Sequence, residues 1–279
     1  MKNLNTLKIG FVAIASIALT ATSCRKEGCT DETAWNYNEE AKKDDGTCKY
    51  ENTATIKFTQ SWDGEAVTVD DFNVLKFTNE KGHKMSIERL RYSISDVRFY
   101  KADGDSVVID MEHLIDLSDA ATLTKTLADK LEPVEYTGIG FIFGLTPEKN
   151  VTNSIPEFNL ASWGWPDPIG GGYHQMQLDG EFIKSSGDTA SYNFHNGSNS
   201  IQSGTTGPAV VNYIFVKLNE TISMDTDRTI TINMQIEEWF KNPNVWDLDQ
   251  LSTMLMPNQS AQILISENGG TVFNLGTIE

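Results

Sequence analysis

The segment Leu90-Arg-Tyr-Ser-Ile-Ser-Asp-Val-Arg-Phe99 most narrows what this chain can fold into. Leu90, Tyr92 and Ile94 hold a period of two, the mark of a strand with one buried face. Val97 and Phe99 resume the alternation out of phase, so the spacing predicts a β-bulge at Ser95-Asp96. Ala102-Asp-Gly-Asp105 then supplies a hairpin turn. Further strands are expected over residues 54–60, 107–110, 138–143, 173–178, 191–195, 210–218, 229–236 and 261–266. Helices are expected only over 122–130 and 246–256. Many short strands between polar turns define an all-β, sandwich-like domain with one or two short helices. No βαβ alternation occurs, which argues against a nucleotide-binding doubly wound sheet. Residues 147–172 form a long Pro-, Gly- and Trp-rich connection, and connections of that length are usually functional or mobile.

The N-terminus reads as an address. Lys2 and Lys8 flank a short basic region, an uncharged and mostly apolar run follows over 9–21, and small residues lead to Cys24. At ~1.5 Å per residue the run spans ~20 Å, short of the ~30 Å bilayer core, so a signal peptide fits better than a transmembrane helix. Leu19-Thr-Ala-Thr-Ser-Cys24 resembles a lipobox, which implies cleavage before Cys24 and acylation of its thiol. The chain is then expected in the cell envelope, held to the lipid bilayer of the outer membrane on its periplasmic or surface face. Residues 1–23 are read as signal peptide, 24–52 as a lipidated spacer module and 53–279 as the main domain.

With Cys24 acylated, Cys29 and Cys48 remain as an even pair in an oxidising compartment. A disulfide is expected, because a two-Cys metal site lacks a nearby His. Between them runs a polar, turn-rich stretch too short for its own core. Its Cys29-Thr-Asp start, Ala34-Trp-Asn-Tyr-Asn38 middle and Asp44-Asp-Gly-Thr-Cys48 end resemble a short module of exported Bacteroidota proteins. Asp31, Asn36, Asn38, Asp44 and Asp45 offer hard oxygen ligands suited to calcium. The plainer reading is a solvated, disulfide-stapled spacer.

Charge excludes one class of partner. Lys and Arg total 22 against 39 Asp and Glu, a net charge of −17, whereas nucleic-acid binding rests on dense cations. The same imbalance disfavours adhesion to anionic lipid through a basic patch. No nucleophile elbow, zinc-protease helix, phosphate loop or dinucleotide fingerprint occurs. Only four His and three Cys are present, so a transition-metal site must use very few residues. His83 follows Lys81-Gly82 and is expected on an exposed turn. His113 opens His-Leu-Ile-Asp-Leu as a strand-end residue. His174 shares a face with Met176 and Leu178 if its strand is regular. His195 ends Tyr192-Asn-Phe-His195. Trp163-Gly-Trp165 places two indoles on one side of an extended segment, ~7 Å apart. Such a pair packs in a core, stacks on a ligand or supports redox chemistry.

Seven stretches in order resemble the MbnP-like copper-binding family. They are Leu90-Arg-Tyr-Ser-Ile-Ser-Asp-Val97, His113-Leu-Ile-Asp116, Gly138-Ile-Gly-Phe-Ile-Phe-Gly144, Trp163-Gly-Trp165, Tyr173 through Asp179-Gly180, Tyr192-Asn-Phe-His195-Asn-Gly197, and Ile232 through Trp239-Phe240. The resemblance implies an exported copper-binding protein in which one tryptophan is oxidised to kynurenine and joins imidazoles as a copper ligand. A secreted dihaem peroxidase-like partner performs that oxidation. Carried over by position, His195 is the leading metal ligand, His174 and His113 are further candidates, and Trp163 or Trp165 is the aromatic to be modified. Two positions depart from the pattern. Ala161 stands where the family often has Met, and Pro166–Gly171 reads as an insertion. The resulting expectation is a lipid-anchored protein that binds or transports copper and is not an enzyme. The alternative is an envelope interaction module that binds glycan or protein through its Trp-rich loop, without copper.

Overall fold

The computed structural model describes residues 25–198 and 211–279. The expected signal peptide, Cys24 and residue 210 of the expected 210–218 strand lie outside them. The chain divides between Cys48 and Lys49 into two compact units. In the first, Cys29 and Cys48 form the expected disulfide, with Cα atoms 4.8 Å apart. Asp31, Asp44 and Asp45 accept backbone N–H groups of Thr33, Gly46 and Thr47 at 2.9–3.0 Å. Short carboxylate side chains thus close the turns that a segment without a core needs.

The second unit is mostly β, as the alternation requires. In chain order its strands are β1 (Ala54–Trp62), β2 (Glu65–Ala66), β3 (Phe77–Thr78), β4 (Lys84–Met85) and β5 (Arg89–Tyr100). Then come β6 (Ser106–Asp116), β7 (Thr124–Thr126), β8 (Glu135–Tyr136), β9 (Gly138–Phe143) and β10 (His174–Ile183). The last are β11 (Thr189–Gly197), β12 (Ile214–Leu218), β13 (Ile222–Ser223), β14 (Arg228–Gln235) and β15 (Phe273–Ile278). Two short helices are α1 (Pro156–Leu160) and α2 (Gln259–Asn268).

One sheet runs β15-β14-β1-β2, with β7 also on β1, and the β1–β14 pairing is parallel. The larger runs β12-β9-β5-β10-β4-β3, with β6 on β5 and β11 on β10. Their apolar residues share one core, with Phe58, Ile232 and Met234 from the first sheet beside Tyr92, Phe143, Met176 and Leu178 from the second. The bulge in β5 falls where the phase change puts it. Asp96 takes φ 53° and the pairing with β6 shifts between Ser95 and Val97. The extra residue lets Ile94 and Val97 both reach the core, each fully buried.

Three element assignments from the sequence are corrected. Residues 122–130 are not a helix: a 3-10 turn at Ala120–Leu123 leads into β7, whose β-branched Thr124 and Thr126 pair with the edge of β1. Residues 246–256 form successive turns, because the Asp247 carboxylate takes the Asp249 N–H at 3.0 Å and Met254 sits at φ 58°. Residues 261–266 are not a strand but lie in α2. Asn258 caps that helix through Ala261 N–H, and Ala261, Gln262, Ile265 and Asn268 make its buried face. Ala261, Ile263 and Ile265 imitate strand alternation, but Ile263 faces outward. The 147–172 connection remains largely irregular around α1.

Candidate metal centre

The paired strands β10 and β11 set the geometry. Gln177 faces His195 and Asp179 faces Asn193, so His195 and Asp179 are diagonal neighbours on one face. His195 Nε2 lies 2.7 Å from Asp179 Oδ1. At the start of β10 the register shifts between His174 and Met176. That irregularity corrects the expected alternation. Met176 and Leu178 enter the core, while the His174 ring stands against His195, with centroids 5.3 Å apart and planes at 81°. A bulge at this point re-aims one side chain, as bulges beside functional sites do.

Two tryptophans wall the pair. Trp163 and Trp165 have ring centroids 5.5 and 5.0 Å from that of His174. Both indoles are buried, at 0% and 2% exposure, so neither offers a stacking face to a glycan on the surface. Trp163 packs with Leu145, Phe158 and Tyr173, and the Arg91 guanidinium lies 5.0 Å over its ring. Trp165 lies on Gly197, where a Cβ would come within 2.4 Å of its ring. The Pro166–Gly171 segment turns back on itself. Trp165 N–H donates to the Gly172 carbonyl at 2.9 Å, and its indole N–H donates to the Ile169 carbonyl at 3.3 Å. Helix α2 holds the end of β11 through Gln262. Its amide N–H donates to the His195 carbonyl at 2.8 Å, and its oxygen accepts from Gly197 N–H at 3.2 Å.

These contacts set the ring protons. His174 Nδ1 faces the Trp163 carbonyl at 3.1 Å, an acceptor, so Nδ1 carries the proton and Nε2 keeps a lone pair. His195 Nε2 faces a carboxylate and carries its proton, leaving Nδ1 buried and without a hydrogen-bond partner. Burial pushes the His174 pKa down to about 4, with His195, Arg91 and Arg89 adding to the same direction. Burial alone would raise the Asp179 carboxyl, but hydrogen bonds from His195, Asn193 and Arg89 hold it at about 2. His174 is thereby held neutral with an uncommitted Nε2 lone pair, the state in which histidine binds metal, and His195 presents beside it an Nδ1 with no hydrogen-bond partner. A carboxylate stands behind one of them, as is usual for metal-ligating histidines.

The other sequence candidates lie elsewhere. His113 sits within β6, two strands from β10, with Nε2 2.7 Å from the Thr122 carbonyl and its ring on Phe58 at 5.7 Å. Its ring serves the Ala120–Leu123 turn. His83 is not exposed: it is 4% accessible, its ring packed edge-on to Phe182. Among the described residues, the one group of three His, Cys, Asp or Glu side chains close enough to share an ion is His83, Asp247 and Asp249. Asp179 and Arg91 complete the His174–His195 site; both lie in stretches that carry the resemblance, but neither stands out there as a site residue. Regular alternation along β10 would put Asp179 on the face opposite His174, and only the register shift between His174 and Met176 brings them together.

The fold and this cluster define a two-sheet β domain in which the paired strands β10 and β11 carry a buried and a half-buried histidine beside paired tryptophans. The sequence as a whole gives the family. The MbnP family model matches residues 51–257, and the chain belongs to the MbnP family. Its fold is similar to that of MbnP from Methylosinus trichosporium, with a TM-score of 0.55 and 15% identity over 81% of this chain and 98% of the other. No curated protein matches it in sequence.

Proposed function

We propose that this protein binds copper through His174 Nε2 and His195 Nδ1, as an exported binding or transport protein and not a catalyst. The observation that carries the reading is the orphaned, buried Nδ1 of His195 beside a second imidazole whose Nε2 is uncommitted. Imidazole nitrogens suit copper, and the hydrophobic wall of Trp163 and Trp165 limits water at the ion. Membership of the MbnP family, whose members bind copper, supports the choice of metal. Two imidazoles are a sparse set, so an oxidised Trp163 or Trp165 supplied by an exported oxidising partner, or a solvent ligand, completes it. Cys24 acylation at the end of the signal-like segment places the protein on the envelope membrane.

Equilibrium dialysis with Cu(I) and with Cu(II) tests the site, with one ion per chain expected in at least one state. Stoichiometry far below one in both sinks the proposal. Intact-mass analysis of protein from its native source tests the modification, which removes one carbon and adds one oxygen. Cys24→Ser should move the protein from the membrane to the soluble fraction, and retention at wild-type level contradicts anchoring through that residue.

A further inference from the structure

We propose a second metal site, for a borderline divalent cation such as Zn²⁺, at His83, Asp247 and Asp249. Three connections that are distant in sequence meet there. His83 lies in the turn between β3 and β4, Asp247 and Asp249 lie in the turns after Phe240, and Ser185 follows β10. The site is separate from the histidine pair. His83 packs on Phe182, eight residues beyond His174 along β10, roughly 27 Å away.

The spacing suits ligation better than an ion pair. His83 Nε2 lies 3.4 Å from Asp249 Oδ2 and 3.9 Å from Asp247 Oδ1, at or beyond the limit of a good hydrogen bond. One ligand atom from each of the three residues falls within 4.8 Å of the others. In a tetrahedral ion with bonds of ~2.0–2.1 Å, neighbouring ligand atoms stand ~3.3–3.4 Å apart. Small side-chain movements would bring all three onto one ion.

An independent observation points to a missing ligand. His83 is 96% buried by its 4% accessibility, its Nδ1 has no hydrogen-bond partner, and its other nitrogen is aimed at both carboxylates. If Nε2 bears the proton, the bond to oxygen is long. If Nδ1 bears it, the Nε2 lone pair faces two anions. A cation between them converts that repulsion into three bonds.

The surroundings hold the ligands in place. The Phe182 ring meets His83 edge-on at 5.5 Å and fixes its plane. His83 N–H donates to Asn79 Oδ1 at 2.9 Å, and the Asn79 amide donates to the Trp246 carbonyl at 3.2 Å, tying the two connections together. Asp249 accepts Ser185 N–H at 3.3 Å, and Asp247 accepts Asp249 N–H at 3.0 Å and the Gln250 amide at 3.3 Å. Lys81 Nζ stands 3.5 Å from Asp247 Oδ2, but it is half exposed and can swing away. One imidazole with two carboxylates suits Zn²⁺ better than calcium or magnesium, which favour all-oxygen sets, and better than Cu(I), which favours softer ligands.

The test is Zn²⁺ titration of the purified chain by calorimetry, with thermal melting alongside. It is run on the wild type and on a His174→Ala/His195→Ala double variant, so that the proposed copper site cannot supply the binding. One equivalent of Zn²⁺ bound by the double variant, with a rise in melting temperature, is the expected result. His83→Gln and Asp249→Asn should each weaken zinc by more than the ~10–100-fold typical of losing a group behind a ligand. Asp249→Asn alters an exposed loop residue and serves should His83→Gln disturb the core. Saturating wild type with copper should leave zinc uptake unchanged. Zinc binding equal in wild type and Asp249→Asn, or absent from the double variant and from copper-saturated wild type, overturns the site.

Discussion

Asp179 holds His195 with one carboxylate oxygen and Arg89 with the other: Oδ1 lies 2.7 Å from His195 Nε2, and Oδ2 lies 2.6 Å from Arg89 Nε. The carboxylate therefore decides which imidazole nitrogen is left to bind metal. His195, Asn193 and Arg89 together keep it charged in a buried place. Asp179→Asn removes the charge but retains an acceptor, so copper affinity should fall ~10–100-fold while the domain still folds. A competition titration with a copper chelator reads the change. Wild-type affinity in this variant would show that Asp179 serves structure alone.

The histidines should separate by role. His195→Ala and His174→Ala are each expected to weaken copper by at least ~10-fold, or ~1.4 kcal/mol. His113→Ala should leave copper affinity unchanged, because that ring is committed to the Thr122 carbonyl and to Phe58. Its cost should appear in the melting temperature. A copper loss in His113→Ala equal to that in His195→Ala would remove the pairing argued from β10 and β11.

Acid should destabilise the metal-free protein in two steps. His174 titrates near 4 when folded against an ordinary 6.5, so the unfolded chain takes its proton first. Its contribution is complete above about 6.5 and is lost as pH falls to about 4. Asp179, held near 2 against an ordinary 3.8, acts likewise at lower pH, its contribution lost between those values. Urea midpoints measured from neutral pH downward should fall through the first window before the second begins. In His174→Gln the upper slope should flatten and the lower one remain. A midpoint that stays level between about pH 6.5 and 4 in the wild type contradicts the burial argument.

Gly197 is the place where a single methyl group should disturb the site. Its Cβ would meet three ring atoms of Trp165 at 2.4–2.7 Å. Gly197→Ala must displace the indole, with a cost of about 1–3 kcal/mol as for other overpacked positions. Tryptophan fluorescence and copper affinity should both change. An unaltered spectrum together with an unaltered melting temperature would mean that the indole has room to move.

Residues that act through neighbours in sequence were legible, and residues that act across the sheet were not. The β5 bulge announces itself in the phase of Ile94 and Val97, and the Cys29–Cys48 bridge in cysteine number and the expected compartment. His195 and the Trp163-Gly-Trp165 element stand out by motif, and the structure brings them to one place through His174. A regular strand would put His174 on the face of Met176 and Leu178, and the register shift across Gln175 leaves no mark in the apolar pattern. His83 reads as a surface residue because Lys81-Gly82 looks like an exposed turn and the aromatic that covers its ring, Phe182, is 99 positions away. Residues 261–266 show the limit of short windows. Three apolar residues at every second position cannot tell a strand from a helix whose cap lies just outside the window.

The parallel pairing of β1 with β14 carries a consequence for how the chain acquires its shape. Ala54 finds its partner at Arg228, and the register runs on to Ser61 with Gln235. Strand β1 can meet β2 and β7 early, but most of the domain must be present before it gains its parallel neighbour. Closing so large a loop before any contact repays it places this fold among the slow, high-contact-order topologies. A chain emerging from its N-terminus therefore cannot complete its smaller sheet until β14 and β15 arrive.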